Sequence, residues 1–367
     1  MTPDARPSAL VLRIDTSTPP RSYTVTIAEG STRRLSDLLD SLDLPEERFI
    51  VSNPIVWRLH RERFAGVTGA EPILIPDGER FKNLATASRI HEALIRTGAD
   101  RAATIVAVGG GVVGDTAGFA AATYLRGVPV VQVPTTLLAQ VDSAIGGKVG
   151  VNHPLGKNLI GAYHQPALVV IDPEVLATLP RRDFRAGLYE VVKYGVIASP
   201  ALFAQVGGSL SALFAREPAL LSVIAASCRV KASIVQQDER EAGPRRVLNF
   251  GHTIGHALEA VTKYRRFRHG EAVAYGMLAA AELALERGAL AAADRDALRT
   301  LIVQMGPLPP VSDLAPEQIL EAIARDKKVV AGHLHFILPT AIGAVSIVTD
   351  VTSAELGRAF SRLAGGI

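Results

Sequence analysis

Strand-like and helix-like segments alternate along the first half of the chain, and this alternation restricts the fold more than any other feature of the sequence. Apolar strand patterns occur in RFIVSN, EPILIPDGE and ATIVAVGGG. Helical patterns at residues 57–64 and 84–96 separate them. Strands separated by helices of this length form βαβ units, whose strands are parallel. The sequence therefore predicts a Rossmann-like α/β domain with a mainly parallel sheet.

The pattern changes after Pro180, where helical periodicity becomes dominant. Helices are predicted at residues 184–197, 217–237, 251–260, 270–287, 291–305 and 316–325. Two short hairpins are also expected, one at residues 9–29 and one in LHFILPTAIGAVSIVTD, before a final helix. The sequence thus predicts two domains: an α/β domain over residues 1–179 and a mostly α-helical domain over residues 180–367.

Charge, cysteine content and hydropathy exclude several classes of protein. The 39 basic and 36 acidic residues leave a net charge of only +3, which does not indicate a nucleic-acid binder. The single cysteine excludes an intrachain disulfide and fits a reducing compartment. The N-terminus lacks a signal-peptide pattern, and the longest apolar run, around residues 272–285, contains Glu282. We expect a cytoplasmic protein without a membrane or nucleic-acid partner.

Two glycine-rich segments suggest ligand binding in the first domain. The strand ending in GGGVVGD leads into a small-residue helix, a turn that either binds a diphosphate through backbone N–H groups or is plain turn geometry. The later segment SAIGGKVGVNHPLGKN places Asp142, Lys148, Lys157 and Asn158 among glycines. We interpret that segment as a rigid ligand-binding loop.

Three histidines lie close together in RRVLNFGHTIGHALEAVTKYRRFRHGE. His252 and His256 are four residues apart and share a helix face, and His269 begins the next helical pattern. Surface or core histidines on a helical hairpin are the alternative. A catalytic zinc site usually has three protein ligands, so an acidic ligand is required, and Glu190 in RAGLYEVVKYG is the candidate.

Several cations accompany these residues. Lys193 follows Glu190 on the same helix face, Lys231 lies on a helix whose other face is apolar, and Arg245 precedes the histidines. With Lys148 and Lys157 they predict a cationic pocket for a substrate that carries both phosphate and carboxylate.

Seven motifs occur in one collinear order from about residue 50 to 345: GGGVVGD, VPTTLLAQVDSAIGGKVGVN, GKNLIGAYHQP, RAGLYEVVKYG, LNFGHTIGHALEA, HGEAVAYGM and DKKVVAGHLHFILPTAIG. Together they resemble the 3-dehydroquinate synthase family, within the sugar-phosphate cyclases. The resemblance implies an N-terminal domain that binds NAD+ and a helical C-terminal domain that holds a divalent metal, Zn2+ or Co2+.

The resemblance also implies a role for individual residues. The matching metal ligands are Glu190, His252 and His269. The matching nucleotide contacts are Asp77, Gly78, Glu79, Lys82, Gly111, Val112, Val113, Gly114, Asp115, Thr135, Thr136, Lys148, Lys157 and Thr178. The matching substrate contacts are Arg126, Asp142, Lys148, Asn158, Lys193, Lys231, Arg245, Asn249, His256 and one of the adjacent Lys327 and Lys328. The resemblance implies catalytic roles for His256, Lys193, Asn249 and Lys148, and we expect His256 to transfer a proton.

Arg126 matches an arginine that the family donates from a neighbouring subunit, so a homodimer is implied. The implied substrate is 3-deoxy-D-arabino-heptulosonate 7-phosphate and the products are 3-dehydroquinate and phosphate. The implied steps are transient oxidation by NAD+, phosphate elimination, reduction and an intramolecular aldol closure, as in the shikimate pathway to aromatic amino acids.

Three alternatives remain open at this point. A cyclase acting on sedoheptulose 7-phosphate would have no substrate carboxylate to bind. A metal-dependent alcohol dehydrogenase would carry out net oxidation and accumulate NADH. A binding protein without activity would hold no metal ion.

Overall fold

The computed structural model describes residues 22–42, 44–326 and 335–364. Its strands are β1 (Thr24–Ile27), β2 (Glu47–Ser52), β3 (Ile73–Leu74), β4 (Ala103–Gly109), β5 (Val130–Pro134), β6 (Lys148–His153), β7 (Gly156–Tyr163), β8 (Leu168–Ile171), β9 (Phe336–Ala341) and β10 (Ala344–Val348). Its α-helices are α1 (Leu35–Asp40), α2 (Pro54–His60), α3 (Leu84–Arg96), α4 (Gly111–Thr123), α5 (Arg181–Ala198), α6 (Pro200–Gly208), α7 (Leu210–Ala215), α8 (Ala219–Gln237), α9 (His252–Val261), α10 (His269–Glu286), α11 (Ala292–Gln304), α12 (Pro316–Asp326) and α13 (Ser353–Ala364).

A six-stranded parallel sheet in the order β1-β8-β5-β4-β2-β3 organises the first half. Alternate residues of β4 point to opposite faces: Ile105 packs toward α3 and α4, whereas Val106 packs toward α1 and α2. Both faces are covered, which explains why β4 and β5 are buried throughout and mostly apolar, with Thr104 and Gln132 as their polar residues. The predicted α/β domain with a mainly parallel sheet is confirmed.

The second half is mostly helical, as predicted, and its core is continuous with one end of the sheet. Helix α10 is buried along nearly its whole length and packs on α5, α9, α13 and β9. The same apolar cluster includes Leu137, Val141 and Ile171 from the first half. The metal-ligand candidates on α5, α9 and α10 are therefore held by a rigid core that contacts the sheet.

One segment differs from the sequence prediction, and a second is only partly described. The glycine-rich segment predicted as a ligand-binding loop forms an antiparallel hairpin of β6 and β7 instead. A Cβ at Gly150 would lie 2.7 Å from the carbonyl oxygen of Ile160, so glycine permits this close strand pairing. Strand β1, predicted as the second strand of an N-terminal hairpin, pairs in parallel with β8 at the edge of the sheet. The first strand of that hairpin lies outside the described residues, so the hairpin stays a prediction.

The helix predictions were incomplete in one region. Helices α6 and α7 were not predicted, because Gly207 and Gly208 interrupt the helical pattern there. The second hairpin, β9 with β10, is present, and the final helix begins after Thr352, whose hydroxyl accepts a hydrogen bond from the Glu355 N–H.

Helix α8 is long and apolar enough to cross a membrane by length and composition alone, although the sequence had pointed to residues 272–285 as the longest apolar run. It packs on α5, α6 and α7 and buries Leu220, Val223, Ile224 and Cys228 among them. Core helices of soluble proteins pass the same test, so this feature is weak evidence for a membrane span.

Candidate active site

Glu190, His252 and His269 converge from three helices. Glu190 lies within α5, while His252 and His269 are the first residues of α9 and α10. Oε1 of Glu190 lies 3.8 Å from Nε2 of His252 and 3.4 Å from Nε2 of His269. One ligand atom from each residue lies within 4.8 Å of the others. The three side chains can therefore surround a single ion.

The start of α9 depends on Gly251, which has a φ of +79°. Only glycine adopts this left-handed conformation without strain, and it allows the helix to begin at His252. The carbonyl of Phe250 lies 3.1 Å from Nδ1 of His252, which leaves Nε2 directed at Glu190. Local backbone geometry thus fixes which nitrogen faces the cluster.

The electrostatics of the cluster favour a positive charge at its centre. Burial raises the pKa of Glu190, but the Lys193 ammonium and the two histidines outweigh it and lower the value to about 2. Burial and the Lys193 charge lower the pKa of His252 to about 3, so its ring is neutral. Burial also lowers the pKa of His269, yet Glu259 and Glu190 raise it to about 10. Two ionised carboxylates therefore flank His269 and favour positive charge at that ring, while His252 stays neutral.

Glu259, which the sequence analysis did not select, contacts the far side of His269. Its Oε2 lies 3.3 Å from Nδ1 of His269, and its Oε1 accepts a hydrogen bond of 3.1 Å from Lys157 Nζ. The side chain is almost fully buried. With His256 and His269 it forms a second group of potential metal ligands. Its position was visible in the sequence as the helix face shared by His252, His256 and Glu259.

The predicted substrate residue Asp142 lies in a short π-helical segment, Ala139–Ser143. Its Oδ1 accepts hydrogen bonds of 2.6 Å from both Lys231 Nζ and the Tyr194 hydroxyl. Burial raises the pKa of Asp142, but Lys231 and Lys193 hold it well below its usual range. Tyr194 is a further residue that the sequence analysis missed, because a tyrosine in a buried helix carries no distinctive signal.

Three predicted residues gather around the segment before α9. Arg245 is 2% exposed, and its Nη2 donates a hydrogen bond of 3.0 Å to the carbonyl of Gly146. Lys148 and Asn249 both contact the carboxylate of Glu241, which the sequence analysis also missed. The structure therefore joins the hairpin of the first half to the helical half at this point.

The predicted nucleotide residues lie mostly at the carboxyl ends of the parallel strands, where α/β folds bind ligands. Gly110 precedes α4 at the end of β4, and no side chain caps the N–H groups of this helix. A Cβ at Gly110 would lie 2.9 Å from Cγ2 of Thr136, which closes the turn against β5. Gly111, Val112, Val113, Gly114 and Asp115 form the first turn of α4. Thr135 and Thr136 follow β5 directly.

Other predicted nucleotide residues form a polar chain along this edge. Lys82 pairs with Asp115 and donates a hydrogen bond of 2.6 Å to Oδ1 of Asn158. Asn158, predicted as a substrate contact, is thus joined to the nucleotide group. Lys157, predicted as a nucleotide contact, lies beside Glu259 and 3.7 Å from Oε1 of Glu79, which is also a predicted nucleotide contact.

The remaining predicted residues have separate positions. Asp77 accepts a hydrogen bond from Asn53, Gly78 has a φ of +104°, and Thr178 lies 2.9 Å from the His60 ring. Arg126 is exposed after α4 and forms no hydrogen bond or ion pair with the other described site residues. Lys327 and Lys328 lie outside the described residues.

Comparison with known proteins agrees with this architecture. A family model described as 3-dehydroquinate synthase N-terminal matches residues 72–186, and one described as 3-dehydroquinate synthase C-terminal matches residues 187–329. The 3-dehydroquinate synthase of Nostoc punctiforme is 49% identical over 350 residues, which are 93% of this chain and 96% of that protein.

Two solved structures share the fold over nearly the whole chain. The 2-epi-5-epi-valiolone synthase of Streptomyces hygroscopicus subsp. jinggangensis, with NAD+ and Zn2+ bound, is 31% identical with a TM-score of 0.88 and covers 96% of this chain and 99% of its own. A 2-deoxy-scyllo-inosose synthase complexed with carbaglucose-6-phosphate, NAD+ and Co2+ is 28% identical with a TM-score of 0.82, over 93% and 97%. On the two family models and the near-half identity to a curated relative over almost its full length, the chain belongs to the 3-dehydroquinate synthase family.

Proposed function

We propose that this chain converts 3-deoxy-D-arabino-heptulosonate 7-phosphate to 3-dehydroquinate and inorganic phosphate, the reaction of its family. The observation that carries the proposal is the convergence of Glu190, His252 and His269 beside the buried ammonium groups of Lys193 and Lys231. Metal ligands and fixed cations in one site suit a substrate with a hydroxyl to be oxidised, a carboxylate and a phosphate.

The donor set fits a divalent metal such as Zn2+ or Co2+. Tetrahedral ligands at about 2.0–2.1 Å from zinc lie about 3.3 Å from one another, close to the 3.4 and 3.8 Å separations from Oε1 of Glu190. Neither Glu190 oxygen accepts a well-directed hydrogen bond within the described part of the chain, although Lys193 Nζ lies 2.5 Å from Oε2. Buried polar atoms of this kind normally have a partner, and a metal ion would provide it.

The strand-to-helix turn after β4 fits the diphosphate of NAD+. The uncapped N–H groups at the start of α4 supply hydrogen-bond donors, and the helix dipole favours negative charge there. When bound, the metal supplies Lewis acidity to a substrate hydroxyl, and NAD+ accepts and later returns a hydride.

The chain's own residues then orient the substrate and move protons. Lys193 and Lys231 are held rigidly by Glu190 and Asp142, so their charges are positioned before the substrate binds. Arg245 and Asn249 extend this cationic and polar wall, with Lys148 and Asn158 on the hairpin opposite. His256, one helical turn after His252, is the residue that we assign to proton transfer at an imidazole nitrogen.

We further propose that the protein is a cytoplasmic homodimer divided near residue 179 into a nucleotide-binding and a metal-binding domain. The exposed position of Arg126 supports its use by a neighbouring subunit, and helix α5 begins the helical half at Arg181. A homodimer with closed symmetry would supply one such arginine to each site.

Purified protein supplied with Zn2+ or Co2+ and NAD+ is expected to release phosphate from the heptulosonate phosphate without accumulating NADH. Phosphate and NADH absorbance are measured in the same reaction, with a chelator-treated sample as the control. Metal-loaded protein that releases no phosphate in the presence of NAD+ would overturn the proposed function. NADH formed in proportion to product would indicate a dehydrogenase instead.

The similarity to a valiolone-type synthase makes sedoheptulose 7-phosphate the informative second substrate. It lacks the carboxylate, and a charge-assisted hydrogen bond contributes about 1.5–3 kcal/mol. We therefore expect kcat/KM for this sugar to be at least about 10-fold lower than for the heptulosonate phosphate. The opposite order would favour the valiolone-type reaction.

Co-expression of Arg126→Ala and His256→Ala chains tests whether Arg126 serves the neighbouring subunit. Each variant alone is expected to be nearly inactive. Random pairing makes half of the dimers hybrids, and each hybrid has one site with both residues intact, so about a quarter of wild-type activity should return. Activity no higher than the two separate variants would mean that Arg126 acts within its own chain or not at all.

A further inference from the structure

Glu259 lies between two residues with expected ligand contacts. One carboxylate oxygen faces Nδ1 of His269 at 3.3 Å, and the other accepts a hydrogen bond from Lys157 at 3.1 Å. His269 belongs to the candidate metal group, whereas Lys157 comes from β7 in the other half of the chain. A buried carboxylate bound on both sides in this way has one fixed orientation.

The two candidate histidine ligands have matching arrangements. Nε2 of each ring faces Glu190, and Nδ1 of each ring faces an acceptor, the Phe250 carbonyl for His252 and the Glu259 carboxylate for His269. An acceptor at Nδ1 keeps the hydrogen on that nitrogen, so Nε2 has its lone pair free for a metal. For His269 that acceptor is charged, which also increases the basicity of the ring.

Lys157 in turn limits where Glu259 can go. Its ammonium lies 4.2 Å from the centre of the Tyr264 ring and 3.7 Å from Oε1 of Glu79. These contacts hold the Lys157 ammonium in place in addition to its hydrogen bond with Glu259. The orientation of His269 is therefore set through a chain of contacts that begins in the α/β half.

We propose that Glu259 is a positioning residue for the metal site, which holds the Nδ1 side of His269 and ties that ligand to Lys157 across the two halves of the chain. The proposal rests on the proposed function, because it takes Glu190, His252 and His269 as the metal ligands. Glu259 itself does not bind the metal in this arrangement.

The test is Zn2+ affinity of the metal-free full chain, measured by competition with a chromophoric chelator. Glu259→Gln keeps the size of the side chain and removes its charge, and is expected to weaken Zn2+ binding by about 10–100-fold while still binding one equivalent. The visible spectrum of the Co2+ form, which reports ligand geometry, should change as well. Glu282→Gln is the matched control. Glu282 is also a buried, ion-paired carboxylate, but it lies about 20 Å from His269 along α10. Its affinity and spectrum should equal those of the wild type.

Circular dichroism and thermal unfolding accompany each titration. If Glu259→Gln does not fold, Glu259→Asp replaces it, since the side chain shortened by one methylene no longer reaches Nδ1 and should also bind Zn2+ more weakly. Wild-type affinity and an unchanged Co2+ spectrum in the folded variant would overturn the proposal.

The proposed function fails in a different way. If Glu190→Ala still binds Zn2+ with wild-type affinity, then Glu190, His252 and His269 are not the metal ligands, and the role proposed for Glu259 loses its basis. Complete loss of the stoichiometric metal in Glu259→Gln, together with its loss in His256→Ala, would make Glu259 a ligand rather than a positioning residue.

Discussion

Replacing His252 with alanine is expected to abolish turnover by removing the metal. The substitution leaves only Glu190 and His269 as ligands, and two protein ligands are too few to bind the ion tightly. Because a metal ion contributes several kcal/mol to stabilisation of the developing charge, the loss in kcat should be about 10³-fold or more. Metal content after gel filtration and phosphate release are the two measurements.

His256→Ala is the matched control, as it makes the same change one helical turn further along α9. Its ring centroid lies 5.3 Å from that of His252, so it borders the cluster without belonging to the Glu190 group. We expect full metal content and a kcat reduced by about 10²-fold or more, the usual contribution of a general acid or base. Equal metal loss in both variants would show that His256 also holds the metal, and metal loss in His256→Ala alone would show that the ion binds the group of His256, Glu259 and His269 instead.

Gly276→Ala is expected to destabilise the chain and damage the metal site together. A Cβ at this position would lie 1.7 Å from the carbonyl oxygen of Gly251, the residue that precedes His252. Helices α9 and α10 would have to separate by more than an ångström, and overpacking of this kind costs about 3 kcal/mol. The melting temperature should fall by about 4 °C. Zn2+ affinity should fall at least 10-fold, because metal sites tolerate ligand shifts of only about 0.2 Å.

The control for this change is Gly208→Ala at the end of α6, where a new Cβ would meet no atom within 4 Å. Alanine is the better helix former by about 0.5–1 kcal/mol, so this variant should be as stable as the wild type or slightly more so, with unchanged Zn2+ affinity. A Gly276→Ala protein that melts and binds Zn2+ like the wild type would show that the close approach of α9 and α10 is not required.

Much of the fold was predictable because it depends on local periodicity. The alternation of strands and helices predicted the parallel sheet, and the helical pattern placed α3 at its observed bounds. The same periodicity put His252 and His256 on one face of α9. The glycine-rich segment was predicted as a loop, yet it forms the β6–β7 hairpin, because glycines such as Gly150 allow a close strand pairing that side-chain periodicity does not record.

Residue types and their spacing indicate the chemistry available to this protein: the ligand types, the cluster of cations and the family to which its motifs belong. Which of those residues meet depends on packing between distant segments of the chain. It brought Glu190 to His252 and His269, and it revealed Glu259 and Glu241 as neighbours of predicted site residues. The physical reason is that these contacts depend on the close approach of distant backbone segments, as at Gly251 and Gly276, which no pattern within a single helix records.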